Sequence, residues 1–175
     1  KQGNLWVGVK DGILRIYDAD RTYKGYLTEN GIISTVGTPV KGTAYFIIQD
    51  SKGVIWIATK GDGLIRAEAT SPSGMSYKLT RYLHQEDDMY SLSDNNVYCV
   101  YEDHNGRIRA ATFAGGINYL TENEDGKVLF INHRNHLKGY PIDPCYKARF
   151  ITSDNNGRLW VGTTTGAVAF DENFE

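Results

Sequence analysis

Residues 50–64 read DSKGVIWIATKGDGL, and the chain says nearly the same thing three more times. Residues 103–117 give DHNGRIRAATFAGGI and residues 154–168 give DNNGRLWVGTTTGAV, while residues 3–13, GNLWVGVKDGI, hold a further copy. The turn glycines Gly3, Gly53, Gly106 and Gly157 recur about every 50 residues, the period of a stacked or radial array of one structural unit. Within each copy, Asp-x-x-Gly lies between two apolar runs. The Asp carboxylate can accept from nearby backbone amides and the Gly can take positive φ, so the motif reads as a hairpin turn. The run that follows (VIWIAT, RLWVGT, NLWVGV) is β-branched, aromatic and too short for an ordinary helix. A small-residue turn and another apolar strand come next, which makes an antiparallel meander.

The intervening segments complete the unit. Residues 44–49, AYFIIQ, and 97–102, VYCVYE, are apolar on both strand faces, as a strand covered on both sides would be. Residues 76–83, SYKLTRYL, alternate as a strand with one wet face. Four strands per unit, an apolar innermost and an alternating outermost strand describe the blade of a β-propeller. The expectation is therefore all-β: an arc of about 3.5 four-stranded antiparallel blades, with pieces at residues 1–28, 43–83, 96–133 and 146–175. With strands lettered A to D from the axis outward, the order is B-C-D, A-B-C-D, A-B-C-D and A-B-C. No helix is called for, and residues 28–42, 84–96 and 134–145 read as connections between blades. Because a propeller covers its blade faces by closing the ring, such an arc is expected to belong to a larger ring, or to self-associate when alone.

Bulk properties narrow the function. A net charge of −2 on 175 residues, with no basic run, lacks the footprint of a nucleic-acid binder. No apolar stretch approaches the roughly 20 residues of a membrane helix, and no signal peptide opens the chain. Lys1 already lies inside a repeat, so the chain reads as a piece of a longer protein. Cys99 falls in a strand and Cys145 in a connection, and whether they pair is left open.

The phrases Ser91-Leu92-Ser93-Asp94-Asn95-Asn96-Val97 and Tyr101-Glu102-Asp103-His104-Asn105-Gly106 resemble the two-component-regulator propeller repeat. That family's pattern is roughly S-L-S-x-N-x-V, then E-D-x-x-G-x-L-W-I-G-T, then G-G-L. The resemblance runs through essentially the whole chain and is strongest at residues 91–106 and 154–163. It departs at Arg109, where Trp6, Trp56 and Trp160 stand in the other copies, and at Ala111 in place of Gly. The resemblance implies the extracytoplasmic sensor part of a hybrid two-component histidine kinase of the Bacteroides type. It further implies a seven-bladed ring, a later membrane helix and kinase, a periplasmic location and a glycan fragment as ligand.

Candidate sites follow. The three Trp residues share one position on strand B and are expected to fill the gap between blades. The Asp-x-x-Gly turns lack EF-hand spacing, and the Gly-rich turns lack the Lys-Ser/Thr ending of a phosphate loop. His133 and His136 have no carboxylate or Cys at fixed spacing, so no metal and no cofactor are expected. Neither a nucleophile elbow nor a catalytic pair can be placed, and the segment is read as non-catalytic. In a propeller the D–A crossings and B–C turns share the face around the channel mouth. That face should carry His84, Tyr90, Phe113, Tyr140 and Tyr146, with Arg149 on an innermost strand where Tyr45 and Tyr98 match it. Aromatics with Arg and His at a concave mouth suit a polar, partly charged oligosaccharide or other small soluble ligand. The alternatives are a protein-interaction propeller with no small-molecule site and, further off, a polysaccharide-acting enzyme.

Overall fold

The protein is described by a computed structural model, which covers residues 3–10, 12–137 and 139–171. Four consecutive antiparallel sheets make up the chain. The first blade holds β1 (Leu5–Gly8), β2 (Leu14–Tyr17), β3 (Tyr23–Leu27) and β4 (Ile33–Ser34). The second holds β5 (Thr43–Gln49), β6 (Ile55–Lys60), β7 (Leu64–Ala69) and β8 (Tyr77–Tyr82). The third holds β9 (Val97–Glu102), β10 (Ile108–Thr112), β11 (Gly116–Glu122) and β12 (Val128–Ile131). The last holds β13 (Ala148–Ser153), β14 (Leu159–Thr163) and β15 (Ala167–Phe170). Strands are hydrogen-bonded in sequence order within every sheet.

Two connections carry more structure than expected. The stretch read as a plain link after residue 28 contains β4. Beside it, Tyr77 N–H donates to Gly31 O at 2.7 Å and Ile33 N–H to Met75 O at 2.9 Å, tying the rims of the first two blades together. The link after β12 contains a single helical turn, α1 (Ile142–Cys145), where no helix was expected.

The cores lie between blades. Leu14, Ile16 and Leu27 pack on Ile55, Ile57 and Ile65. Trp56, Ala58 and Leu64 pack on Val97, Val100, Ile108 and Ala110. Cys99, Ala111 and Ile117 pack on Ala148, Ile151, Leu159 and Val161. Alternate residues of one strand thus enter two different cores, and side chains alternate faces along a strand. This corrects the expectation that the innermost strand is the most enclosed. Every residue of β10 is buried and β6 is buried up to its last residue, whereas Tyr45 on β5 is 38% and Phe150 on β13 is 47% exposed. Strand A has one side on the axis; strand B has a blade on each face. Cys99 and Cys145 are both free and buried in the same core, and burial pushes the Cys99 thiol up to about 11.

The signature turn works through both carboxylate oxygens of its Asp. One caps the turn: Asp50 Oδ1 accepts from Val54 N–H at 2.8 Å, and Asp103 Oδ1 from Asn105 and Arg107 N–H at 2.9 and 3.0 Å. Asp154 Oδ1 likewise accepts from Asn156 and Arg158 N–H. The other oxygen reaches six residues along to strand B. Trp56 Nε1–H donates to Asp50 Oδ2 at 2.8 Å, and Trp160 Nε1–H to Asp154 Oδ2 at 3.0 Å. Where Arg109 replaces Trp, its Nε–H donates to Asp103 Oδ2 at 2.8 Å. The irregular copy therefore keeps the bond and changes the donor. The opposite strand compensates: Trp56 faces Arg66, whose Cζ is 5.8 Å from the indole, and Arg109 faces Tyr119, with its Cζ 5.6 Å from that ring. Cation and ring have exchanged strands.

Trp56 is 5% exposed and Trp6 borders the first core, as a filler between blades should. Trp160 is 39% exposed, on a blade that no further blade of this chain covers.

Candidate functional site: the mouth of the arc

Strands β5, β9 and β13 stand side by side at the axis, and each carries a β-bulge near its start. Ala44 pairs with Thr59 and Phe46 with Ala58, which leaves Tyr45 as the extra residue. The same count leaves Tyr98 between Val97 and Cys99, and Arg149 between Ala148 and Phe150. A bulge breaks the two-residue alternation and re-aims a side chain. Here it does so three times at one level, and the three side chains meet. Tyr45 and Tyr98 rings are 4.7 Å apart, and Arg149 Cζ lies 4.9 Å from the Tyr98 centroid.

Phe113, in the turn between β10 and β11, extends the group. Its ring is 5.6 Å from Tyr98 and 5.6 Å from Arg149 Cζ. Lys147 Nζ sits 5.1 Å from Phe113 and 5.2 Å from Tyr146. The outcome is a continuous strip of rings and cations: Tyr45, Tyr98, Arg149, Phe113, Lys147, Tyr146. Both ends are open, Tyr45 at 38% and Tyr146 at 41% exposed.

The structure thus unites Phe113, Tyr146 and Arg149 among the six sequence-derived candidates. Lys147 was missed, because a lysine in an irregular connection carries no periodic signal. The other three fall elsewhere. His84 Nδ1 lies 2.8 Å from Leu92 O and 3.2 Å from an Arg134 guanidinium nitrogen, and Tyr90 Oη is 3.0 Å from His136 Nε2. These two pin the crossing between β8 and β9 to the one after β12. Tyr140 was expected at the mouth, but it is only 3% exposed. It donates to Cys145 O at 2.7 Å and stacks on Phe170, and burial raises its hydroxyl pKa. It supports the mouth from below and cannot touch a ligand there. His133 Nδ1 lies 3.2 Å from Gly115 O, and burial lowers its pKa.

The crossing above the strip is held by buried amides. Ser93 N–H donates to Asn118 Oδ1 at 3.0 Å, while Asn118 Nδ2–H donates to Ser93 Oγ at 2.7 Å. Asn132 Nδ2–H donates to Ser91 O and to Asn118 Oδ1, both at 3.1 Å. Leu92, between the two serines, is fully buried in the core between the second and third blades. Buried polar groups need partners of this kind, and here they fix the loop rather than decorate it. A groove of about 480 Å³ lies on the opposite face between the first two blades and is lined by Trp6, Gln49, Ser71 and Tyr77. It opens where the blades diverge and contains none of the strip.

Comparison with known proteins fits this geometry. Residues 91–108 match the family described as "Two component regulator propeller". These are the residues of the locked crossing, β9 and the signature turn. The extracellular domain of the putative hybrid two component system BT3049 from B. thetaiotaomicron superimposes with a TM-score of 0.65 at 21% identity, over 96% of this chain and 23% of that one. The corresponding domain of BT4673 from the same organism gives 0.61 at 23%, over 96% and 22%. An inactive virginiamycin B lyase from Staphylococcus aureus, solved with quinupristin, gives 0.53 at 15%, over 96% and 59%. No curated relative matches the sequence.

The fold is a β-propeller arc. The chain spans about a quarter of the length of the two extracellular domains it resembles. Among the described residues, no helix is long and apolar enough to cross a membrane.

Proposed function

We propose that this arc is part of the extracytoplasmic, ligand-sensing propeller of a hybrid two-component system and that its mouth recognises a soluble oligosaccharide. The observation that carries the reading is the triple bulge. Three consecutive blades each spend an irregularity at the same level, and all three re-aimed side chains converge at the axis. Packing needs no such coincidence, because the cores between the blades are complete without it. Aromatic faces suit the CH surfaces of sugars, and the flanking cations suit hydroxyl or acidic groups.

The action is binding without bond-making. Ligand in the mouth favours one arrangement of the propeller relative to whatever follows it, and it transmits only as much as its affinities for the two arrangements differ. The periplasm is the compartment this implies. Calorimetric titration with a panel of glycan fragments tests the reading. Selective, saturable binding that Tyr98→Ala weakens about fivefold or more supports it, one lost ring contact on a sugar being worth roughly 1 kcal/mol or more. Binding of a protein partner with no response to any glycan would favour the interaction-module alternative, and turnover of a fragment would favour an enzyme.

A further inference from the structure

The strip is cationic as well as aromatic, and its charge is unanswered. Four other arginines find carboxylates: Arg66 reaches Glu68, Arg81 reaches Asp62, and Arg107 and Arg109 share Asp103. At the mouth, Lys147 and Arg149 contact ring faces, and no carboxylate among the described residues lies within ion-pair distance of either. The chain as a whole carries a net charge of −2, so this local excess is no spill-over from a basic protein. A cation held against rings is positioned without spending its N–H donors. Lys147 and Arg149 also contact the same ring, that of Phe113, at 5.1 and 5.6 Å, which brings both charges into one neighbourhood.

We infer that this mouth selects an anionic saccharide, an inference that rests on the sensor reading above. A carboxylate or sulfate group is taken between Arg149 and Lys147, the guanidinium offering a fork of parallel N–H donors and the ammonium a mobile point charge. The sugar rings on either side of that group lie on Tyr45 and Tyr98 and on Tyr146, the open ends of the strip. A neutral sugar would leave the two cations without partners, so the site discriminates by charge as well as by shape.

The test uses the longest soluble form of the protein that carries this chain. It is titrated calorimetrically with tetragalacturonate, a chondroitin 4-sulfate disaccharide, and neutral cellotetraose and maltotetraose, at low and at high salt. The expected result is that one acidic probe binds at least about tenfold tighter than either neutral one, the scale of one hydrogen-bonded charge contact. Salt should weaken that binding and leave any neutral binding unchanged. Arg149→Gln and Lys147→Gln should each cost the acidic probe about tenfold with no change in melting temperature, while Arg149→Lys should retain part of the affinity. A response to galacturonate alone assigns a carboxylate, and a response to the disaccharide alone assigns a sulfate. Neutral probes binding as tightly as acidic ones, or an Arg149→Gln protein with undiminished acidic affinity, overturns the inference and leaves the sensor reading standing. If no saccharide of either kind binds, both fall together.

Discussion

Rebuilding the second blade's ring–cation pair inside the third blade tests how the signature turn is held. In the wild type, Asp103 has a fully buried side chain, and Arg109 is only 1% exposed. Both Arg109 Nε and a terminal guanidinium nitrogen lie 2.8 Å from Asp103 Oδ2, with Arg107 Nε at 3.2 Å. Arg109→Met leaves that carboxylate buried with one longer partner on Oδ2, and should cost about 3–5 kcal/mol, the range for a broken buried pair. Arg109→Trp supplies an indole N–H, as Trp56 does for Asp50, but loses the ion pair and the cation's contact with Tyr119; about 1–2 kcal/mol is expected. Tyr119→Arg alone sets two guanidinium groups opposite each other on β10 and β11 and should cost a similar amount. The double variant Arg109→Trp/Tyr119→Arg recreates the Trp56–Arg66 arrangement. Its cost should fall below the sum of the singles by about 1–3 kcal/mol, the coupling of contacting residues. Urea denaturation with unchanged m-values reads these differences. Strict additivity, or an Arg109→Met protein no weaker than Arg109→Trp, would refute the exchange of ring and cation between strands.

Other outcomes follow from the same geometry. Burial pushes the Asp103 carboxyl up, but the Arg107 backbone N–H and the Arg109 charge outweigh it and hold its pKa below the ordinary value. A depressed folded-state value contributes stability above the unfolded value of about 4 and loses it as pH falls further, so melting temperature should drop with acidification below pH 4, and Asp103→Asn should flatten that part of the curve. Asn118→Ala leaves Ser93 N–H and Asn132 Nδ2–H short of an acceptor, costing about 2–3 kcal/mol and raising amide hydrogen exchange first at residues 91–93. Gly31 and Gly61 both have positive φ, 75° and 82°, but a Cβ at Gly31 would lie 1.9 Å from Tyr77 O, whereas one at Gly61 meets nothing within 4 Å. Gly61→Ala should therefore cost about 1 kcal/mol of backbone strain in a thermal melt, and Gly31→Ala several times that, because it also parts the rims of the first two blades.

The repeated Asp-x-x-Gly phrase, its period and the alternation of apolar residues were enough to place every strand but β4 and their antiparallel order. All of these rest on local backbone preference and on which faces must leave water. Local chemistry could also say that Asp50, Asp103 and Asp154 cap turns. It could not say that each Asp also reaches a side chain six residues on, nor that an arginine in the indole's place would keep that bond. Both depend on where strand B lies over the turn. The mouth was legible only in outline. Phe113, Tyr146 and Arg149 were placed on the right face by topology, but Tyr140 sinks into the core because the one-turn helix at residues 142–145 carries its partner carbonyl beneath it. Lys147 joins the strip through rings that lie far apart in the sequence. The bulges at Tyr45, Tyr98 and Arg149 leave no mark in the pattern of residues, since a slipped register is a relation between two strands and not a property of either. Sequence therefore determined the repeating unit, and packing around the axis decided which side chains from different units share one surface.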